Sequence, residues 1–218
     1  ETADEQLKVR AQEELKKTLD QLADDFAFVA NCNIGGEEMD PDDMARLDAL
    51  AGQTWTRNFD DRLGISLESE SRFKGVPPPS LPVEEPLLSD RAEHLVDWGG
   101  DPHRGNGKQD GFITETPQHK FNYGELYNLK IGRGTLTEEE RYQINHHIIQ
   151  TIMMLEQLPF PEHMKRVPEY ATAHHERMDG TGYPRGLRRE QMSVPARMMA
   201  IADIFEALTA SDRPYKRP

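Results

Sequence analysis

Residues 193–208 read Ser-Val-Pro-Ala-Arg-Met-Met-Ala-Ile-Ala-Asp-Ile-Phe-Glu-Ala-Leu. Ser193 caps a helix, and Pro195 falls in its first turn, where a missing N–H costs nothing. Val194, Met198, Ile201, Phe205 and Leu208 share one side, and Ala196, Met199, Ala200 and Ala207 lie opposite. A helix apolar on both sides is expected to be buried. Asp203 belongs to the small-residue side. A carboxylate buried there is costly unless a metal, a cation or several hydrogen bonds satisfy it, and small neighbours leave room for such a partner.

Upstream stands His174-His175-Glu176-Arg177-Met178-Asp179-Gly180-Thr181-Gly182-Tyr183-Pro184. The spacing predicts a helix opened by Pro168 and running through Tyr170 to Arg177, then a tight loop shaped by Asp179, Gly180, Gly182 and Pro184. Adjacent helical residues diverge by about 100°, so neighbouring imidazoles suit two or three metals close together, or one ligand with one group supporting it. Further back, Thr137 and Glu140 form a capping box. The helix that follows puts Ile144, Ile148, Thr151, Ile152 and Leu155 on one face, with His147 on the same side. A lone histidine on an apolar face is more often a core residue than a ligand, so the weight of His147 comes from its company. No strand signal exceeds a short pairing around the glycine loop, and the last hundred residues read as all-α.

The first sixty-five residues read as a helical hairpin. Leu15, Leu19, Leu22, Phe26 and Val29 step by four and three along one stripe, at home in a core or in a dimer seam. Asp40 caps a second helix with Pro41 at its first position, and Met44, Leu47, Ala51 and Trp55 continue it on one face. From 66 to 119 the pattern dissolves into a connector studded with Pro77, Pro78, Pro79, Pro82, Pro86 and several glycines. His94, His103 and His119 are expected there as exposed loop histidines. Residues 120–218 carry the site.

The 218 residues hold 39 acids and 26 bases, a formal charge of -13. That balance argues against a protein that grips duplex nucleic acid along its backbone. No apolar run approaches the roughly 20 residues of a membrane span, and no leader is evident. A single cysteine, Cys32, fits a reducing cytoplasm. The charge is uneven: residues 1–60 hold fifteen acids and six bases, whereas residues 184–218 hold seven bases and four acids. Arginines beside the His-His pair suit a phosphate ligand. Imidazoles, a carboxylate and local cations together describe metal-assisted phosphoester cleavage, with the metal open among iron, manganese and zinc.

The run from His174 to Pro184 resembles the signature of the HD-GYP family of bacterial phosphodiesterases. Ala202-Asp203-Ile204-Phe205-Glu206-Ala207-Leu208-Thr209 and Asp212-Arg213-Pro214-Tyr215-Lys216 extend the likeness, and Gly134 to Glu140 with His147 matches the helix leading to the family's middle histidine. It covers roughly residues 120–218. The resemblance implies an all-helical HD-type phosphohydrolase fold with two or three divalent metal ions, commonly iron or manganese. It implies hydrolysis of cyclic di-GMP to the linear dinucleotide or to GMP. By position, His147, His174, His175 and Asp203 would be metal ligands, Tyr183 would line the substrate pocket, and Arg213 and Lys216 would meet its phosphates. The His-Asp dyad that names the family occurs nowhere in this chain. Residues 1–119 are similar to an insertion carried by some members between the dyad and the middle histidine. On that view the dyad precedes Glu1, with a sensor domain, of GAF type, before it, and the chain alone is expected to be inactive or nearly so. A non-catalytic module binding cyclic di-GMP or a signalling partner is the competing reading, and a helical interaction module the blander one.

Overall fold

Residues 3–100 and 111–210 are described by a computed structural model, which is mainly helical. By contact they fall into two compact units, Glu1–Leu95 with Asn122–Thr135, and Val96–Phe121 with Leu136–Pro218. The chain passes between them at the two-residue strands β4 (Leu95–Val96) and β5 (Phe121–Asn122).

In the first unit α1 (Ala3–Ile34) ends where Gly35 takes φ 73°, a value only glycine adopts freely. Strand β1 (Gly36–Glu38) pairs antiparallel with β6 (Arg133–Gly134). Asp40 caps α2 (Pro41–Ala51) by accepting the Asp42 N–H at 2.8 Å. Leu47 and Leu50 of α2 and Leu129 of α4 (Glu125–Leu129) are buried. The second helix stops at Gly52, short of Trp55. Trp55 lies instead in β2 (Thr54–Arg57), opposite Glu85 of β3 (Val83–Pro86). Backbone pairing with a distant segment thus overrode the helical spacing. Arg57 is buried in this ladder, and it is tolerated there because Glu85 at 2.8 Å and Asp61 at 3.5 Å neutralise it. The connector also contains α3 (Leu67–Arg72), capped by Ser66. His94 is half-buried rather than exposed.

In the second unit the Thr137–Glu140 capping box forms and opens α5 (Glu138–Glu156). Ile148, Ile149 and Ile152 of α5 make a core with Phe112, against which Met153 and Tyr183 pack. Also in this unit, His119 is drawn in by Asp97 at 2.9 Å; His103 lies outside the described residues. The next helix, α6 (Val167–Thr172), ends before His174 rather than at Arg177. Ser193 caps α7 (Val194–Thr209), whose Ala196 and Ala200 seat against Ala173 and Met192.

The expectation of a fully buried α7 does not hold. Val194, Met198, Ile201, Phe205 and Leu208 are 57–70 % exposed. A six-residue helix and one turn cover only the alanine side. The Asp203 side chain is 40 % exposed, so the burial expected to demand a partner for this carboxylate is not there. Among the described residues no helix is long and apolar enough to cross a membrane.

Candidate metal centre

The three histidines arrive from two elements. His147 is on α5, on the exposed rim beside buried Ile148, because one residue turns the helix by about 100° away from the core. Ile144 is exposed too, so the buried face is Tyr142, Ile148, Ile149 and Ile152 rather than the one containing His147. His174 and His175 occupy the turn after α6. Freed from helical divergence, their ring centroids stand 4.1 Å apart. One ring nitrogen from each of His147, His174 and His175 lies within 4.8 Å of the others.

Hydrogen bonds assign the tautomers. His147 Nδ1 is 2.5 Å from Ile144 O, and His174 Nδ1 is 2.7 Å from Ala171 O. A carbonyl only accepts, so each Nδ1 carries the proton and each Nε2 keeps its lone pair. His175 Nδ1 lies 3.2 Å from Asp203 Oδ2, which places its proton there by the same rule. His175 Nε2 stands 3.2 Å from His147 Nε2, and in the neutral rings that carry their proton on Nδ1 both atoms bring a lone pair to that approach. Such a pair is unfavourable unless a proton or a metal cation sits between them. Two nitrogens held by one ion at about 2.0–2.1 Å are about 2.9–3.4 Å apart for the usual ligand angles. Three imidazole nitrogens suit a borderline divalent cation.

Burial, with the neighbouring His174 and His147, holds the His175 imidazole below the ordinary histidine range, and Asp203 opposes this. A neutral imidazole is the form that ligates. Tyr183 stacks on His175, centroids 4.8 Å apart and planes at 22°. Burial, then Asp203, pushes its hydroxyl above the usual tyrosine range.

The loop beneath is tightly built. Asp179 Oδ1 accepts the Thr181 N–H at 2.9 Å and hydroxyl at 2.7 Å, which lowers its carboxyl below the usual range. Gly180 takes φ 84°, and a Cβ on Gly182 would stand 2.2 Å from Arg177 N. Pro184 is buried, and its carbonyl accepts the Ile113 N–H at 2.8 Å. A short antiparallel bridge joins Asp179 and Arg188, as expected around this loop. Arg213 and Lys216 lie outside the described residues. Glu176, which follows the histidine pair and to which the sequence assigns no role, is 2 % exposed. Its only signal was a carboxylate between the histidine pair and a glycine loop.

A family model described as "HD domain" matches residues 82–218. The chain is 44% identical over 84 residues to a cyclic di-GMP phosphodiesterase of Pseudomonas aeruginosa, covering 38% of this chain and 20% of that protein. It is 45% identical over 83 residues to a 3'3'-cGAMP-specific phosphodiesterase of Vibrio cholerae, covering 38% and 18%. Against a cyclic di-GMP phosphodiesterase of Thermotoga maritima the identity is 34% over 117 residues, covering 51% and 31%. The first two matches thus span about a fifth of each relative's length.

Proposed function

The chain belongs to the HD domain family, and from that premise we propose that it is part of a metal-dependent phosphodiesterase that hydrolyses cyclic di-GMP to the linear dinucleotide or GMP. The observation that carries this reading is the convergence of His147, His174 and His175, with the Nε2 atoms of His147 and His175 3.2 Å apart. The relatives named for cyclic dinucleotides support the substrate class.

His147, His174, His175 and Asp203 would hold the ions, two or three of them, iron or manganese. Bound there, such ions would polarise a phosphoryl oxygen and make a water more acidic. The chain's own part is orientation. Backbone carbonyls hold the Nδ1 protons of His147 and His174 in place, and Asp203 holds that of His175. Tyr183 borders the same histidine and would line the substrate pocket. Arg213 and Lys216 would meet the phosphates. Residues 120–218 form the catalytic portion in this reading, with the hairpin of 1–65 and the connector of 66–119 as an insertion. The parent protein would be cytoplasmic, with a sensor domain of GAF type upstream and a second copy joined along α1.

Metal analysis of the full-length protein, with cyclic di-GMP turnover in wild type and Asp203→Asn, tests the reading. Bound iron or manganese and a large loss in the variant are expected. Metal-free protein, or unchanged turnover in the variant, would overturn it. Cyclic di-GMP binding without turnover would instead favour the non-catalytic module.

A further inference from the structure

Glu176 follows His175 directly, and in a His-His-Glu run it looks like one more ligand. Its carboxylate is engaged elsewhere. Oε1 accepts the Arg185 N–H at 2.7 Å, and Oε2 accepts the Leu187 N–H at 2.7 Å. A carboxylate buried to this degree needs charge-assisted partners, and these two amides supply them. Both amides belong to the chain just beyond Tyr183.

Between its two ends the loop has no slack. The Tyr183 N–H donates to His175 O at 3.2 Å, and Pro184 O is held by the Ile113 N–H. At Gly182 the loop touches the backbone of Glu176 itself, since a Cβ there would lie 2.5 Å from Glu176 Cα. The outcome is the Tyr183 ring stacked on the His175 imidazole. Asp203 grips only one nitrogen of that ring. A single hydrogen bond leaves the ring plane loosely set, whereas a flat neighbour at stacking distance restricts it.

We infer that Glu176 is a positioning residue: its carboxylate clamps the loop 182–187 against the histidine turn and thereby holds Tyr183 on His175. Glu176 touches neither ion nor substrate in this role. The consequence for metal affinity rests on the function proposed above; the clamp itself does not.

The test uses Glu176→Gln, which keeps the size but turns one acceptor into an amide NH2 facing a backbone N–H. It is compared with Tyr183→Leu and with the double variant. In metal-free protein, NMR reads the His175 ring protons, which the stacked tyrosine shifts. Glu176→Gln is expected to move them toward their positions in Tyr183→Leu. With Mn2+ as probe, each single variant is expected to bind about 10–100-fold more weakly, the usual cost of losing a group that orients a ligand. The double variant is expected to be no weaker than Tyr183→Leu alone, because both act through one contact. Glu176→Asp, too short to reach both amides, gives a partial shift and keeps the test alive if the glutamine variant does not fold. Unchanged His175 resonances in the Glu176 variants, or fully additive losses, would overturn the clamp. Wild type that binds no Mn2+ would sink the metal reading, while the resonances would still decide the clamp.

Discussion

Asp203 Oδ2 stands 3.2 Å from His175 Nδ1, joining α7 to the turn that follows α6. The contact orients the imidazole and adds negative charge beside three converging ring nitrogens. Asp203→Asn keeps a similar shape but removes that charge. Metal affinity is expected to fall by about 10–100-fold. Because the side chain is substantially exposed, thermal stability of the metal-free protein should change by no more than about 0.5 kcal/mol. Metal titration and a melting curve on the same sample check both parts.

His175 responds to pH in a fixed direction. Burial first, then His174, depress its folded-state pKa below the ordinary 6.5, against the pull of Asp203. The unfolded chain then binds the proton more readily than the folded one. The stability contributed by the neutral ring is present above about pH 6.5 and lost as pH falls through the lower folded value. Melting of metal-free protein across pH 7 to 4 should show this loss, and His175→Gln should flatten that part of the profile.

Gly182 allows no side chain. A Cβ would meet Arg177 N at 2.2 Å and the Glu176 backbone at 2.5 Å, atoms that cannot swing aside. Gly182→Ala is expected to destabilise by about 1–3 kcal/mol, the range for forcing atoms into a packed site. Urea denaturation measures it. A variant as stable as wild type would mean that the loop is less rigid than its contacts imply.

The stripe on α1 offers a simpler experiment. Leu15, Leu19, Leu22 and Phe26 are 53–78 % exposed along a helix 32 residues long. The same face of a second copy would cover this stripe. Leu19→Lys should convert a dimer to a monomer in sedimentation, with the far-ultraviolet spectrum of the rest retained. A wild-type monomer at high concentration would remove the homodimer from the proposal.

Much of this protein is written locally. Asp40, Thr137 and Ser193 mark helix starts because each cap bonds to an amide two or three residues away, a distance that a sequence displays directly. The helical class, the loop shaped by Gly180 and Gly182, and the chemistry of the candidate ligands follow from the same short-range rules. Three things do not. Trp55 continued a helical spacing yet joined a strand, because its partner Glu85 lies thirty residues away. Phe205 and its neighbours on α7 read as core but are exposed, since hydrophobicity reports what a face prefers and not what packs on it. Glu176 lay inside the most legible stretch of the chain, yet its role depends on where the amides of Arg185 and Leu187 return in space.

The sequence by itself therefore determined which groups are present and where the helices begin. Only the tertiary structure decided that His147 meets His175 across 28 positions, with their Nε2 atoms 3.2 Å apart. The physical reason is that this distance is set by how α5, α6 and α7 pack, through contacts such as Ala196 and Ala200 against Ala173. Small apolar residues can take many partners, so nothing in their order along the chain states which one they will find.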